Sequence, residues 1–214
     1  MAILIVTSVE AEANAIAGGN LDGARTIAAG IGRTNAAAAT TEAILRAHGK
    51  IDAVISAGVA GALPVSNLNI GDCLIASCCI YMEEGLISPS GFVTMASLGF
   101  PLGDFDGNAV PVDERMLERL GEAFAVGPIA TVATCSGTDA AAADVVRRTG
   151  ALAEAMEGAA VVHAARRLNI AAIELRAISN TTGDRTRQVW DMRCALDALG
   201  QATRRTIELL RHAD

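Results

Sequence analysis

The sequence predicts a single-domain α/β protein in which a largely parallel sheet is covered by helices on both faces. Three observations predict this class. Short runs of β-forming residues recur along the chain, stretches with a helical pattern lie between them, and the chain ends in a long amphipathic segment. With 214 residues the chain is long enough to bury one large core, and nothing in its composition requires a second domain.

The predicted strands are short apolar runs bounded by Gly or Asp. They cover residues 2–7, 26–29, 53–56, 73–80, 129–134 and 171–179. The predicted helices cover residues 34–48, 114–123, 138–149, 158–168 and about 189–211. Thr34 is the expected N-cap of the first helix and Gly49 its end. Apolar residues spaced three or four apart predict one buried face for the last helix, namely Val189, Met192, Leu196, Leu199, Ile207 and Leu210, with Thr203 among them.

Residues 88–111 show no period. Pro, Gly, Ser, Phe and Asp are mixed in this stretch, which is typical of a functional loop or lid. In parallel α/β sheets ligands gather at the carboxyl ends of strands, so we expect the functional side chains directly after strands.

Composition and charge exclude several classes of protein. Apolar residues make up 51% of the chain and aromatics 3%, so the core is expected to consist of Ala, Val, Ile and Leu. The net charge of −7, with no Lys/Arg run longer than two, argues against nucleic acid and anionic membranes as partners. No stretch approaches the roughly 18 apolar residues of a membrane helix, and Glu10 and Glu12 follow the apolar start too closely for a signal peptide. We expect a soluble, cytoplasmic protein.

Metal and dinucleotide sites are also not expected. The histidines, His48, His163 and His212, lie far apart, and the cysteines contain no C-x-x-C pair. The five cysteines are Cys73, Cys78, Cys79, Cys135 and Cys194, which we expect to be free thiols. The run Gly30-Ile31-Gly32 lacks the third glycine of a dinucleotide signature because Asn35 takes its place. No cofactor is therefore predicted.

Three charged residues stand at positions where chemistry is expected. Glu12 follows the first strand, where it is either a solvated acid in a first helical turn or a carboxylate facing a crevice above the sheet. Glu157 interrupts an apolar run, where an unpaired charge would be costly. Arg176 lies within the last strand, and because a buried arginine usually has a carboxylate partner, we expect it to pair with Glu12 or Glu157.

Five motifs in order resemble the nucleoside phosphorylase and nucleosidase superfamily, and the likeness extends from Ile3 to the C-terminal helix. They are the strand leading to Glu12, Gly30-Ile31-Gly32, Ser56-Ala57-Gly58-Val59-Ala60-Gly61, Ala155-Met156-Glu157-Gly158-Ala159-Ala160 and Arg176-Ala177-Ile178-Ser179-Asn180. The resemblance implies a three-layer α/β/α domain with a twisted mixed sheet. It also implies a homodimer or higher homo-oligomer, with residues 88–111 near the interface or the mouth of the site.

The resemblance also implies roles for single residues. Glu12 would orient or deprotonate the attacking water, Glu157 would hold the ribose hydroxyls above Met156, and Asn180 would contact purine N7. The other implied substrate-binding residues are Gly61, Cys135, Ser136, Gly137, Arg176, Ser179 and Trp190.

Departures from the family pattern bear on the substrate. Adenine-cleaving nucleosidases end the last strand in Asp, whereas this chain has Asn180, whose two N–H groups match the N7 and O6 acceptors of a 6-oxopurine. Hypoxanthine is therefore the expected base, and its proton would come from Asp139 or from solvent. Val59 replaces a serine on the water side. Arg33 is the sole arginine on the glycine loops, so hydrolysis is favoured over phosphorolysis.

The run from Arg176 to Asn180, followed by Gly183-Asp184-Arg185, resembles futalosine hydrolases in particular. These enzymes release hypoxanthine and dehypoxanthine futalosine in menaquinone biosynthesis, and their substrate carries a benzoate on its 5′ arm. Arg185 and Arg187, close to Trp190, could bind that carboxylate, or they could be surface residues. Two other functions remain open: an adenine-releasing nucleosidase, acting on methylthioadenosine/S-adenosylhomocysteine or aminodeoxyfutalosine, and a non-catalytic nucleoside-binding protein.

Overall fold

The computed structural model describes residues 1–18, 21 and 23–211, so His212 lies outside the described part. Its strands are β1 (Ile3–Thr7), β2 (Arg25–Ala28), β3 (Ala53–Ala62), β4 (Cys73–Tyr81), β5 (Gly85–Ser88), β6 (Gly91–Thr94), β7 (Ala109–Pro111), β8 (Ala125–Thr131), β9 (Ala153–Ala155) and β10 (Ala171–Thr181). Its helices are α1 (Glu10–Ala17), α2 (Arg33–Arg46), α3 (Glu114–Gly121), α4 (Asp139–Thr149), α5 (Gly158–Arg167) and α6 (Met192–Arg211), with a short 3₁₀ helix at Ala96–Leu98.

Eight strands form one mixed sheet that closes on itself. Its order is β10-β4-β8-β9-β3-β1-β2, β7 pairs with β4, and β10 also pairs with β3. Strands β3, β10, β4, β8 and β9 therefore make a ring, and β1 and β2 extend from it. The antiparallel pairs are β10 with β4, β3 with β9, and β4 with β7. Among the described residues, five of the eight strand pairs in this sheet are parallel, which agrees with the prediction of a largely parallel sheet. The mixed sheet implied by the resemblance is confirmed, whereas the strand order could not be read from alternating strands and helices.

Helices cover this sheet in two groups. Helix α5 packs on β3, β4 and β10 and contacts α2, while α6 packs on the same three strands and contacts α1 and α3. The core between these layers is aliphatic, as the composition predicted; its fully buried members include Leu4, Ile55, Leu74, Ile129 and Ile173. No helix among the described residues is both long and apolar enough to cross a membrane.

Several element boundaries differ from the predictions. Strand β3 continues past Ser56 to Ala62 because its glycines stay in the ladder with β10 instead of ending the strand. The first long helix begins at Arg33 with Gly32 as N-cap, so the prediction of Thr34 was wrong. Gly32 adopts a φ of 90°, which a residue with a side chain rarely adopts.

The last helix begins later than its periodicity suggested. The side chain of Asp191 accepts the N–H of Cys194 (2.9 Å), which is the contact of an N-cap, and the helix starts at Met192. Val189, which we predicted to be on the buried face, precedes the helix and is 60% exposed, and Met192 is also exposed. The buried face runs from Ala195 to Leu210.

Residues 88–111 contain more regular structure than predicted. They include strand β6, which forms a hairpin with β5, the short 3₁₀ helix, and β7, which adds to the main sheet through β4. Strands of three or four residues are too short to show a period in the sequence. Helix α1 and strand β9 were likewise not predicted as elements. The five cysteines are free.

Candidate active site

A buried arginine on β10 organises the centre of the site. Arg176 is 2% exposed, and its Nε lies 2.8 Å from Oε1 of Glu174, while its Nη2 lies 3.8 Å from Oε2 of Glu157. The expected pairing with Glu157 is present, but the shortest ion pair is to Glu174, which the sequence analysis did not consider. Residues 174 and 176 are two apart on one strand, so their side chains share a face.

The acidic neighbours of Arg176 stabilise the positive charge of its guanidinium group. Burial alone would lower the pKa of the guanidinium, but Glu174, Glu157 and Glu12 together raise it above its ordinary value. Glu12 acts here through its proximity, because no direct ion pair joins it to Arg176 among the described contacts. The three carboxylates and one guanidinium form what we call the acid cluster: Glu12, Glu157, Glu174 and Arg176.

Glu12 is a buried residue, 3% exposed, and not the solvated acid that its position in the first turn of α1 allowed. Its Oε2 accepts the N–H of Ser8 (2.9 Å), the hydroxyl of Ser8 (2.7 Å) and the N–H of Val9 (3.3 Å). Its Oε1 accepts the N–H of Val59 (2.9 Å). With a single donor on Oε1, that oxygen keeps the capacity to accept a proton or a hydrogen bond from a ligand.

Gly58 allows Glu12 and Arg176 to meet at β3. A Cβ at this position would overlap Nη1 of Arg176 and would lie 2.7 Å from Oε1 of Glu12. The same Nη1 lies 3.4 Å from the carbonyl of Val59. A glycine is therefore needed at this position of β3, because the side chains of Glu12 and Arg176 both lie close above it.

Glu157 joins the acid cluster from the start of α5. It is the N-cap of α5, and its Oε1 accepts the N–H of Gly32 (2.9 Å), while its Oε2 faces Arg176. This contact connects the first glycine motif to the Met-Glu-Gly motif across 125 positions of sequence. Met156 lies next to it, partly buried against a small apolar cluster that includes Leu63 and Met82.

A cavity of about 290 Å³ lies beyond the cluster. It is lined by Gly61, Cys135, Ser136, Gly137, Glu154, Asn180, Arg185, Gln188 and Trp190. Seven of these nine were predicted site residues; Glu154 and Gln188 were missed. The other six predicted site residues do not line it: Glu12, Met156, Glu157, Arg176, Ser179 and Arg187.

Three chain segments run from the acid cluster to this cavity. On β3, Val59 contacts Glu12 and Gly61 lines the cavity, a separation of about 7 Å at the usual rise of a strand. On β10, Asn180 follows Arg176 by four residues, and Glu154 precedes Glu157 by three. The cluster and the cavity therefore lie close to each other along these strands.

Asn180 is aimed into the cavity by a β-bulge. The register of β10 against β3 shifts between Ile178 and Asn180, which brings Asn180 opposite Gly61. Its Nδ2 donates to the carbonyl of Thr181 (2.9 Å), and its Oδ1 accepts the hydroxyl of Ser179 (2.8 Å). Because the carbonyl of Thr181 can only accept a hydrogen bond, its contact with Nδ2 sets the orientation of the Asn180 amide. One N–H, not the two we expected, is left for a ligand.

Glu154 forms the wall of the cavity on β9. Its Oε1 accepts the N–H of Ser136 (2.7 Å), and its Oε2 accepts the hydroxyl of Ser136 (2.6 Å). Burial raises the pKa of Glu154 above its ordinary value, and the two contacts with Ser136 oppose that rise. Glu154 was not among the predicted site residues, although its charge interrupts the apolar β9 as Glu157 interrupts its own apolar run.

The two arginines after β10 differ in their surroundings. Arg185 lines the cavity, with its Cζ 4.8 Å from the ring centroid of Trp190. Arg187 is exposed and paired with Asp139 (2.5 Å) and Asp184 (3.1 Å). Asp139, which we considered as a proton source, therefore lies in an exposed ion pair and outside the cavity lining.

Comparison with known proteins gives consistent results. The family model described as the phosphorylase superfamily matches residues 9–213. A curated futalosine hydrolase of Acidothermus cellulolyticus is 40% identical, and the match covers 93% of this chain and 87% of that protein. The futalosine hydrolase of Streptomyces coelicolor is 36% identical, and the match covers 85% of this chain and 77% of that protein.

Solved structures with the same fold include two nucleosidases. The 5′-methylthioadenosine/S-adenosylhomocysteine nucleosidase of Streptococcus pneumoniae, bound to a transition-state inhibitor, superposes with a TM-score of 0.77 at 21% identity, covering 98% of this chain and 100% of that one. The S-adenosylhomocysteine nucleosidase of Streptococcus pyogenes, bound to 5-methylthiotubericidin, gives a TM-score of 0.78 at 22% identity, with coverage of 100% and 98%. At this identity the likeness concerns the fold.

Proposed function

The chain belongs to the phosphorylase superfamily, and within it to the futalosine hydrolase family, and from that premise we propose that it cleaves the N-glycosidic bond of futalosine with water. The observation that carries the proposal is the acid cluster beside the cavity: two acids, Glu12 and Glu157, lie near Arg176, and the amide of Asn180 lines the cavity. The products would be hypoxanthine and dehypoxanthine futalosine.

The acid cluster suits the charge that develops in this reaction. When the bond to a purine breaks, positive charge grows on the sugar and negative charge grows on the base. The cluster has three carboxylates and one guanidinium, so it can stabilise a cationic sugar. Glu157 would hold the ribose hydroxyls. Oε1 of Glu12 would take a proton from the attacking water, which makes Glu12 the general base.

Asn180 would stabilise the leaving base. Its free N–H can donate to N7 or O6 of a 6-oxopurine, where negative charge accumulates as the base departs. The contacts with Thr181 and Ser179 hold the amide in that orientation before the substrate arrives. Such preorganised donors cost no rearrangement at the moment of reaction.

Water is favoured over phosphate as the nucleophile. Phosphorolysis needs cations free to bind an anion, and the arginine available on the glycine loops is Arg33. Its Nη1 is paired with Glu84 (2.5 Å) and Glu83 (3.3 Å), so its charge is already neutralised.

Product analysis tests the proposed reaction. We expect purified protein to release hypoxanthine from futalosine at a rate that does not depend on phosphate. Inosine, methylthioadenosine and aminodeoxyfutalosine would be compared at equal concentration. Faster release of adenine would indicate an adenine-releasing nucleosidase. A sugar phosphate formed only with phosphate would indicate a phosphorylase, and stoichiometric binding without release would indicate a binding protein.

The 5′ arm gives a prediction with a built-in control. The Arg185→Ala variant should raise KM for futalosine about 10-fold, because a charge-assisted hydrogen bond to the benzoate is lost, and should leave KM for inosine nearly unchanged. Arg187→Ala is the matched control, since Arg187 is engaged by Asp139 and Asp184. Steady-state kinetics on both substrates measures the effect. Equal changes in the two variants would remove Arg185 from substrate binding.

Base selection gives a second prediction. In the Asn180→Asp variant an acceptor replaces the free donor, so the preference for hypoxanthine over adenine should fall about 10- to 100-fold. The ratio of kcat/KM for futalosine and aminodeoxyfutalosine measures it. Asn108→Asp is the control, because Asn108 is equally buried and its Nδ2 also donates to a backbone carbonyl, that of Tyr81, outside the cavity. An unchanged preference in Asn180→Asp would refute the assigned role.

The cellular setting follows from the proposed reaction. The protein would act in menaquinone biosynthesis, in the cytoplasm and as a homo-oligomer, for which size-exclusion chromatography with light scattering is the direct measurement. Residues 88–111 would lie near the subunit interface or the mouth of the site.

A further inference from the structure

Glu154 and Asn180 flank a glycine in one row of the sheet. In the sheet, Asn180 on β10 is opposite Gly61 on β3, and Gly61 is opposite Glu154 on β9. The three residues form one row across adjacent strands, so the outer two backbones are roughly 10 Å apart. All three line the cavity.

Gly61 keeps the space between the two side chains open. A Cβ at this position would lie 3.0 Å from Nδ2 of Asn180 and 2.7 Å from a methyl carbon of Thr182. The floor of the cavity is thus bare backbone between an amide and a carboxylate. A planar base fits such a slot with a polar side chain at each edge.

The carboxylate of Glu154 has acceptor capacity left for a ligand. Ser136 supplies one donor to each oxygen, but an ionised carboxylate can accept about four hydrogen bonds. Glu154 is buried among residues that do not neutralise it: no arginine or lysine forms an ion pair with it among the described residues. A donor on a bound ligand would therefore be well placed to satisfy it.

We propose that Glu154 reads the purine base by accepting its N1–H, opposite the N–H that Asn180 donates, and this rests on the proposed function. A 6-oxopurine offers acceptors at N7 and O6 and a donor at N1, which complements a donor on one wall and an acceptor on the other. Adenine has a lone pair at N1, which a carboxylate repels. Glu154 is thus a specificity-determining residue, and it acts together with Asn180.

The Glu154→Gln variant separates a role of Glu154 in base recognition from a structural role. In Glu154→Gln the side-chain oxygen can accept the N–H of Ser136, and the new amide can donate to its hydroxyl, so both loop contacts are retained. The second amide N–H then faces the base. We expect the ratio of kcat/KM for futalosine over aminodeoxyfutalosine to fall about 10- to 100-fold. Ser136→Ala removes one contact of the loop and leaves the Glu154 carboxylate in place. It should therefore lower kcat/KM for futalosine and for aminodeoxyfutalosine by the same factor.

Ligand binding to the unmodified protein tests the same idea without a variant. Calorimetry should show that hypoxanthine binds at least about 10-fold more tightly than 1-methylhypoxanthine, which lacks the N1–H, and that Glu154→Gln removes this difference. Equal affinity for the two bases, or an unchanged substrate ratio in Glu154→Gln, would overturn the role of Glu154. Failure of the wild-type protein to hydrolyse futalosine would instead overturn the proposed function, and the two failures are distinguishable.

Discussion

The Glu12→Gln variant is expected to bind nucleosides but to hydrolyse futalosine about 100- to 10,000-fold more slowly than the wild-type protein. Glutamine cannot take a proton from water, and its amide group would face donors that the carboxylate now accepts, from Val59 on one side or Ser8 on the other. Single-turnover release of hypoxanthine measures the chemical step separately from binding.

The neighbouring Glu10 is the control for this prediction. It lies on the same helical turn but is exposed, so Glu10→Gln should retain the rate of the wild-type protein. Circular dichroism and thermal unfolding would show whether Glu12→Gln remains folded. A folded Glu12→Gln protein with normal turnover would exclude Glu12 as the base.

The Arg176→Met variant should lose about 3–5 kcal/mol of folding stability, because it leaves buried carboxylates without their counter-charge. Glu174 is fully buried, and the shortest ion pair in the site joins it to Arg176. Methionine fills much of the same space, so the loss would reflect charge more than packing. Urea unfolding monitored by circular dichroism gives the free energy directly.

Arg166 offers a comparison for the same substitution. It also pairs with an acid, Asp104, at 2.7 Å, but this pair lies at the surface. Because solvent screens such pairs, Arg166→Met should leave the unfolding midpoint nearly unchanged. Equal loss in the two variants would mean that the acid cluster contributes no more to stability than a surface pair.

The sequence revealed those site residues whose charge conflicts with their surroundings. Glu157 and Arg176 interrupt apolar runs, and each proved to be buried. The same reasoning applied to Glu154 and Glu174 would have found both. The spacing of Glu174 and Arg176 places them on one face of a strand, which is sufficient to predict their pairing.

Other features depend on partners distant in sequence and could not be predicted. Arg187 is indistinguishable from Arg185 in the sequence, and it pairs with Asp139, 48 positions away, in addition to its neighbour Asp184. The orientation of Asn180 depends on a β-bulge, which no local sequence pattern indicated. The closure of the sheet likewise depends on strand order, which propensity and periodicity do not encode.

The pairing of β3 with β10 has a consequence for how the chain acquires its structure. Arg176 and Ser56, which meet across this pair, are 120 positions apart, so the contact requires a long loop to close. During synthesis the first three strands would leave the ribosome well before β10 exists to dock against them. Chains with many such distant contacts fold slowly. Assembly of the acid cluster should therefore be a late event, and a chain that ends before β10 would leave Glu12 without its guanidinium neighbour.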